Sequence, residues 1–183
     1  ILSMARNIPQ AHKSLQEGKW DRKAYRGTEL YTKTLGVIGA GRIGIGVAKR
    51  AQSFGMKILA FDPYLSEEKA KELEVTRASV DEIAEQADFV TVHTPLTPKT
   101  KGIVGKAFFD KAKPNLQIIN VARGGIIDEA ALLDALNNDQ IQSAALDVFE
   151  TEPATESPFA NHDKVIVTPH LGASTVEAQE KVA

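Results

Sequence analysis

Lys33-Thr-Leu-Gly-Val-Ile-Gly-Ala-Gly-Arg-Ile-Gly-Ile-Gly-Val-Ala48 decides how the rest of the chain is read. Leu35 to Ile38 is a short apolar run of strand type, a glycine turn follows, and the residues from there toward Phe54 suit a helix. Gly39, Gly41 and Gly44 have the spacing of a dinucleotide-binding fingerprint, and each glycine has its own task. Gly39 makes the tight turn, Gly41 lets the backbone approach a pyrophosphate, and Gly44 lets helix and strand pack closely. The amides at the helix start then point at the phosphates, reinforced by the helix dipole. Context strengthens a pattern that is weak alone. After Phe54-Gly55 a second apolar strand runs from Met56 to Phe61 and ends on Asp62. That aspartate stands about 20 residues beyond the glycines, where a carboxylate meets the adenosine ribose 2′-hydroxyl.

Beyond Asp62 the alternation of strand and helix continues. Residues 66–73 suit a helix, and Ser79-Val-Asp-Glu82 is a capping box for another. Asp88 to Val92, with its β-branched run, and Leu116 to Asn120 are strands. Asp128 caps a helix carrying Leu132, Leu133 and Leu136, and Ser143 to Asp147 and Val165 to Thr168 complete a set of six or seven short strands. Such alternation predicts an α/β fold, a parallel sheet doubly wound with helices on both faces.

Working outward to the ends, residues 1–17 carry apolar side chains at Ile1, Ala5, Ile8 and Leu15, a helical stripe with Pro9 as a kink or restart. Gly18 to Gly27 is a polar, basic connecting loop, and Ser174-Thr-Val-Glu177 is a capping box that opens a last helix. The expected division is therefore a leading helix and loop at 1–32, a dinucleotide-binding domain at 33–173, and the start of an outgoing helix at 174–183. The chain is expected to be a piece of a longer protein.

Composition suits one domain of this kind. The 183 residues are 43% hydrophobic, enough for a substantial core, and the net charge of −2 leaves no basic footprint for nucleic acid. No apolar run approaches the roughly 18 residues of a membrane-spanning helix. Zero cysteines exclude disulfides and thiolate metal sites. No His/Asp/Glu spacing suggests a metal site, and Ile1 to Arg6 lack a signal-peptide core, so a cytoplasmic location is the expectation.

Ligands of such sheets sit at the carboxyl ends of the strands. The segments that follow the strands are Gly39-Ala-Gly41, Asp62, His93-Thr-Pro95, Val121-Ala-Arg123, Asp147 and His170, and all should meet on one rim. Arg123 precedes Gly124-Gly125, which leave room above it, although it also suits an exposed cap of a helix. Glu152 taken alone is a solvated loop carboxylate, and a lone His170 is uninformative. His, Glu and Arg on one rim beside a dinucleotide nevertheless make an acid–base set. His12 and His162 have the character of surface residues, and His93 packs or lines the cleft.

Five segments occur in order: Gly39-Ala-Gly-Arg-Ile-Gly44, His93-Thr-Pro-Leu-Thr-Pro98, Asn120-Val-Ala-Arg-Gly-Gly-Ile-Ile-Asp128, Ala145-Leu-Asp-Val-Phe149 with Glu152-Pro153, and Pro169-His-Leu-Gly-Ala-Ser-Thr175. Together they resemble the D-isomer-specific 2-hydroxyacid dehydrogenases, nearly end to end. Gly27-Thr-Glu-Leu30 and Gln52-Ser-Phe-Gly-Met56 are most similar to the branch that oxidises 3-phospho-D-glycerate to 3-phosphohydroxypyruvate, the entry step to serine synthesis. The resemblance implies NAD as cofactor and Arg123, Glu152 and His170 as catalytic residues. It also implies cofactor contacts from Gly39, Gly41, Arg42, Ile43, Gly44, Asp62, Thr94, Val121, Ala122, Arg123, Asp147, His170, Leu171, Gly172 and Ala173. A homodimer and a phosphorylated 2-hydroxy acid as substrate follow from the same likeness, with the substrate domain outside this chain.

The implied roles have physical grounds. An imidazole titrates near ~6.5, so His170 suits a base at working pH. Glu152 would orient the ring, Arg123 would grip the substrate carboxylate or 2-oxo group, and Asp147 would hold the nicotinamide side. Glu152 separates this set from the formate dehydrogenase branch, which resembles it but carries glutamine there. A glyoxylate, hydroxypyruvate or D-lactate dehydrogenase would share nearly every motif. NAD(H)-responsive corepressors of the same fold can keep the same triad.

Overall fold

The computed structural model describes residues 1–182. The leading segment forms α1 (Leu2–Ala5) and α2 (Ile8–Gln16), separated where Asn7 turns left-handed and Pro9 restarts the helix in its first turn. The proline restart expected from the sequence is borne out. There follow β1 (Thr34–Ile38), α3 (Arg42–Gln52), β2 (Lys57–Phe61), α4 (Glu67–Glu72), β3 (Thr76–Arg77), α5 (Val80–Gln86) and β4 (Phe89–Val92). The chain continues with α6 (Lys106–Phe109), β5 (Gln117–Asn120), α7 (Glu129–Asn137), β6 (Ser143–Leu146), β7 (Val165–Val167) and α8 (Val176–Val182).

The strands make one seven-stranded sheet, ordered β3-β2-β1-β4-β5-β6-β7 and parallel throughout. Both faces of its central strands are covered, which is why those strands are nearly continuous apolar runs rather than alternating ones. On one face Ile38, Val90 and Ile118 pack against Ile83 of α5, Phe108 and Phe109 of α6, and Leu132 and Leu136 of α7. On the other, Leu35, Val37, Ile58 and Phe89 pack against Ala48 and Ala51 of α3 and Ala70 of α4. The doubly wound parallel sheet is as expected. Among the described residues no helix is long and apolar enough to cross a membrane.

Side-chain caps open half of the helices described. The Ser66 hydroxyl accepts the Lys69 amide at 3.1 Å, Asp128 accepts the Ala131 amide at 2.9 Å, and Ser79 and Glu82 complete both arms of their box. The last helix differs from expectation. The box from Ser174 to Glu177 does not form; Thr175 Oγ1 accepts the Ala178 amide at 3.1 Å, while the Ser174 amide closes a turn onto the Leu171 carbonyl. The cap therefore lies one residue later. Of the outgoing segment 174–183, Ala183 lies outside the described residues. Two elements had no sequence signal: β3, an exposed two-residue edge strand, and the single turn of α6.

The amino-terminal edge of the sheet is fastened by one carboxylate. Asp88 accepts the Thr34 amide at 2.9 Å, the Lys113 ammonium at 2.5 Å and the Asn115 amide at 2.9 Å, tying the starts of β1, β4 and β5 together. Burial pushes this carboxyl up, but those hydrogen bonds and the Lys113 charge together hold it below the usual carboxylate range. Because every strand runs the same way, the opposite edge collects all the carboxyl-terminal segments.

Candidate active site

The glycine turn after β1 is set by close approach. Gly39 has φ +100°, and a β-carbon there would fall 2.8 Å from the Thr94 amide nitrogen. A β-carbon on Gly44 would overlap the Gly39 carbonyl and crowd Val37, so α3 can lie against β1 only with glycine at this position. Gly41 is different: nothing lies within 4 Å of where its β-carbon would be, and no side chain caps α3. The helix start thus faces open space with its first amides unspent, the geometry a pyrophosphate needs. Asp62 fastens the turn from the side, its Oδ2 accepting the Ala40 amide and its Oδ1 the Tyr64 amide, both at 2.9 Å.

Next to the turn is a cleft of about 570 Å³ lined by Ile43, His93, Thr94, Leu96, Val121 and Arg123. Thr94 is buried, and its Oγ1 has no hydrogen-bond partner among the described residues. An orphaned hydroxyl costs about 1–3 kcal/mol unless something else satisfies it. Together with the open approach at Gly41, this orphan fits a bound dinucleotide. His93 lines the same cleft as expected; its Nε2 lies 2.9 Å from Thr91 Oγ1, and burial holds its pKa below the ordinary imidazole value.

Across the rim, His170 Nδ1 lies 2.8 Å from Glu152 Oε2. The other carboxylate oxygen of Glu152 accepts the Phe149 amide at 3.0 Å. The His170 hydrogen bond, then the Phe149 amide, hold Glu152 below the usual carboxylate range. A carboxylate can only accept, so the proton between them sits on Nδ1 and leaves Nε2 with a free lone pair. Read alone, Glu152 was a solvated loop carboxylate; the fold gives it a partner 18 residues away in sequence.

His170 is held in a left-handed conformation, φ +57°, which costs about 1–3 kcal/mol outside glycine. What holds it there is Asp147. This buried residue accepts the Thr168 hydroxyl at 2.6 Å and the Leu171 and Gly172 amides at 2.7 Å each, clamping the turn on both sides of the histidine. The three charge-assisted bonds offset the backbone strain. Spacing alone gave no sign of this clamp. Gly172 also stands against the Val121 carbonyl, which brings the His170 turn to the edge of the cleft.

Arg123 is exposed and unpaired by any carboxylate among the described residues; its Nη1 donates to the Ala122 carbonyl at 2.6 Å. Asn120 shapes its loop, donating to the Arg123 carbonyl and accepting the Ala122 amide. Arg123 makes no hydrogen bond to His170 or Glu152. Arg42, Ile43, Val121, Leu171, Gly172 and Ala173 are all exposed along the rim, and Ala122 is half-buried beside them. His12 is exposed as expected. His162 is not a free surface residue: it is half-buried, with Nδ1 accepting the Lys164 amide at 3.2 Å and Nε2 3.3 Å from Asn137 Oδ1.

The family model described as the D-isomer specific 2-hydroxyacid dehydrogenase, NAD binding domain, matches residues 1–172. The D-3-phosphoglycerate dehydrogenase of Bacillus subtilis is 54% identical over 183 residues, all of this chain and 35% of that protein. The D-3-phosphoglycerate dehydrogenase of Methanocaldococcus jannaschii is 54% identical over 181 residues, 98% of this chain and 34% of that protein. Among solved structures, the apo D-lactate dehydrogenase of Escherichia coli superposes with a TM-score of 0.89 at 34% identity, over 99% of this chain and 57% of that one. The chain thus spans about a third of the length of these curated relatives.

Proposed function

This chain belongs to the D-isomer-specific 2-hydroxyacid dehydrogenases, as an NAD-binding domain of that family, and from that premise we propose that it is the cofactor half of an enzyme oxidising 3-phospho-D-glycerate to 3-phosphohydroxypyruvate. The observation that carries the chemistry is the 2.8 Å pair of His170 and Glu152, on the same rim as the open glycine turn. The substrate assignment draws on the 54% identity to two proteins named for that activity, against 34% to the D-lactate dehydrogenase.

Bound NAD supplies the acceptor for the hydride that leaves the substrate C2. The chain's own residues do the rest. His170 Nε2 takes the hydroxyl proton as the carbonyl forms, and Glu152 compensates the imidazolium charge through Nδ1. Arg123, whose side chain is spent only on its neighbouring carbonyl, turns to grip the substrate carboxylate. Gly39, Gly41, Gly44, Arg42 and Ile43 receive the pyrophosphate, and Asp62 keeps lone pairs for the ribose hydroxyls, which favours NAD over a 2′-phosphorylated cofactor. Thr94, Val121, Ala122, Leu171, Gly172, Ala173 and Asp147 surround the nicotinamide end. A substrate domain outside residues 1–183 closes the cleft, excludes water and fixes the attack geometry.

The complete enzyme is tested with NAD and a panel of 3-phospho-D-glycerate, D-glycerate and D-lactate, following NADH absorbance. Preference for 3-phospho-D-glycerate is expected, and faster turnover of D-lactate would overturn the substrate assignment. The 183-residue chain alone is expected to bind NAD by calorimetry and to turn over none of the three. Assembly as a homodimer is part of the proposal, supported by exposed Leu2, Ile8, Leu15 and Trp20 on the leading segment; sedimentation as a monomer at tens of micromolar, a range set by ordinary interface affinities, would count against it.

A further inference from the structure

The Phe149–Glu150 peptide lies next to each part of the acid–base set in the chain or in space. The amide just before it, the Phe149 N–H of the Val148–Phe149 peptide, orients Glu152, and through Glu152 it orients His170. The carbonyl of the Phe149–Glu150 peptide lies against Gly124, the residue after Arg123, so closely that a β-carbon on Gly124 would collide with it. Its Glu150 amide donates to Glu129 Oε1 at 2.6 Å, across from the first turn of α7. A weaker reciprocal bond runs from the Glu129 amide to Glu150 Oε1 at 3.4 Å.

We propose that Glu129 is a positioning residue for the His170–Glu152 pair, acting by holding the Phe149–Glu150 peptide against Gly124. The proposal rests on the reading of His170 and Glu152 as base and partner. Its logic is mechanical. Glu152 lies on an exposed loop, and among the described residues its carboxylate is held only by the His170 ring and the backbone amide at 149. The next peptide, from the Phe149 carbonyl to the Glu150 amide, is fixed on one side by Gly124 and on the other by a short bond to a carboxylate anchored on a helix, and so restrains the backbone torsions at Phe149 that aim its N–H. Glu129 is half-buried; burial pushes its carboxyl up, the Glu150 amide opposes this, and the Glu150 charge adds to it. A desolvated acceptor of this kind is poorly replaced by water. If the bond is lost, the Phe149–Glu150 peptide can rotate, the torsions at Phe149 relax with it, the Phe149 N–H turns away from Glu152, and the imidazole is no longer held in one tautomer.

The test compares Glu129→Asp, which keeps the charge at the helix start but falls a methylene short of the Glu150 amide, with Glu129→Gln, which keeps the reach and loses the charge. In each protein the His170 ring nitrogen shifts are read by NMR above the imidazole's titration range, where they report which nitrogen carries the proton. Wild type and Glu129→Gln should show the Nδ1–H form; Glu129→Asp should shift toward the solvent-preferred mixture, with thermal midpoint and NAD affinity little changed. In the complete enzyme the same variant should lose about 10–100-fold in kcat with KM nearly constant, the scale of a misplaced catalytic group. A wild-type His170 spectrum in Glu129→Asp overturns the proposal, and an equal loss in Glu129→Gln overturns it in favour of a charge effect. Absence of turnover in the wild-type enzyme would count against the function reading, while the ring spectrum would still decide the role of Glu129.

Discussion

The two edges of the sheet both gather charged and polar side chains and use them in opposite ways. At the amino-terminal edge, Asp88 is nearly enclosed and spends its carboxylate on Thr34, Lys113 and Asn115. At the carboxyl-terminal rim, Glu152 and His170 are exposed, and among the described residues Arg123 has no carboxylate partner and Thr94 Oγ1 has no hydrogen-bond partner. The first edge is satisfied internally and contributes stability. The second keeps unspent donors and acceptors, which is the condition for binding and chemistry. Asp147 and Asp62 stand between these cases, since each braces a loop while facing the rim.

The largest effect that would break this contrast is at His170. In the complete enzyme, His170→Ala should lower kcat by roughly 10²–10⁴-fold, the range for removing a general base, with NAD affinity measured by calorimetry nearly unchanged. A loss smaller than tenfold would place the base elsewhere on the rim.

The mirror experiment is Asp88→Ala. It should destabilise the fold by about 2–3 kcal/mol in urea titrations, since it removes three hydrogen bonds yet leaves Lys113 able to turn toward water, while NAD binding to the folded protein stays intact. The sign of the pH dependence follows from a depressed folded-state pKa. The Asp88 contribution is present above the unfolded value, near ~3.9, and is lost as pH falls through the folded one. Wild type should therefore lose stability on acidification more steeply than Asp88→Asn. Parallel acid profiles would mean that Asp88 is not the fastener of that edge.

Intermediate effects belong to the residue that serves both purposes. Asp62→Ala should weaken NAD about tenfold, because a hydrogen-bonding carboxylate and its brace on Ala40 go together, and should narrow the preference over NADP. Comparable wild-type affinities for the two cofactors would remove Asp62 from the ribose site. Thr94→Val is the smallest and sharpest case. Replacing an orphaned hydroxyl by an isosteric methyl should leave stability unchanged or raise it by up to about 1 kcal/mol, while weakening NAD by about two- to fivefold. A loss of stability with unchanged NAD affinity would make Thr94 part of the structural scaffold instead.

The local grammar was legible because it rests on local physics. The three glycines, the caps at Ser79 and Asp128, and the proline restart at Pro9 each act within a few residues, so spacing is enough to find them. The misplaced cap at Ser174 shows the limit: Ser174 and Thr175 are chemically equal candidates, and the choice fell to a turn closed onto Leu171. β3 escaped notice because two exposed edge residues carry no periodicity, and His162 because its partner Asn137 is remote in sequence.

The sequence by itself determined that a parallel sheet would gather these loops on one rim, since strand–helix alternation and the glycine fingerprint leave few other arrangements. The tertiary structure decided what each polar side chain does once there. That Glu152 meets His170, that Asp147 clamps the histidine's turn, and that Glu129 reaches the Glu150 amide are all contacts 18 to 25 residues apart along the chain. Their partners are chosen by distances of about 3 Å between separate loops, and no periodicity or spacing encodes a distance that exists only after the sheet has formed.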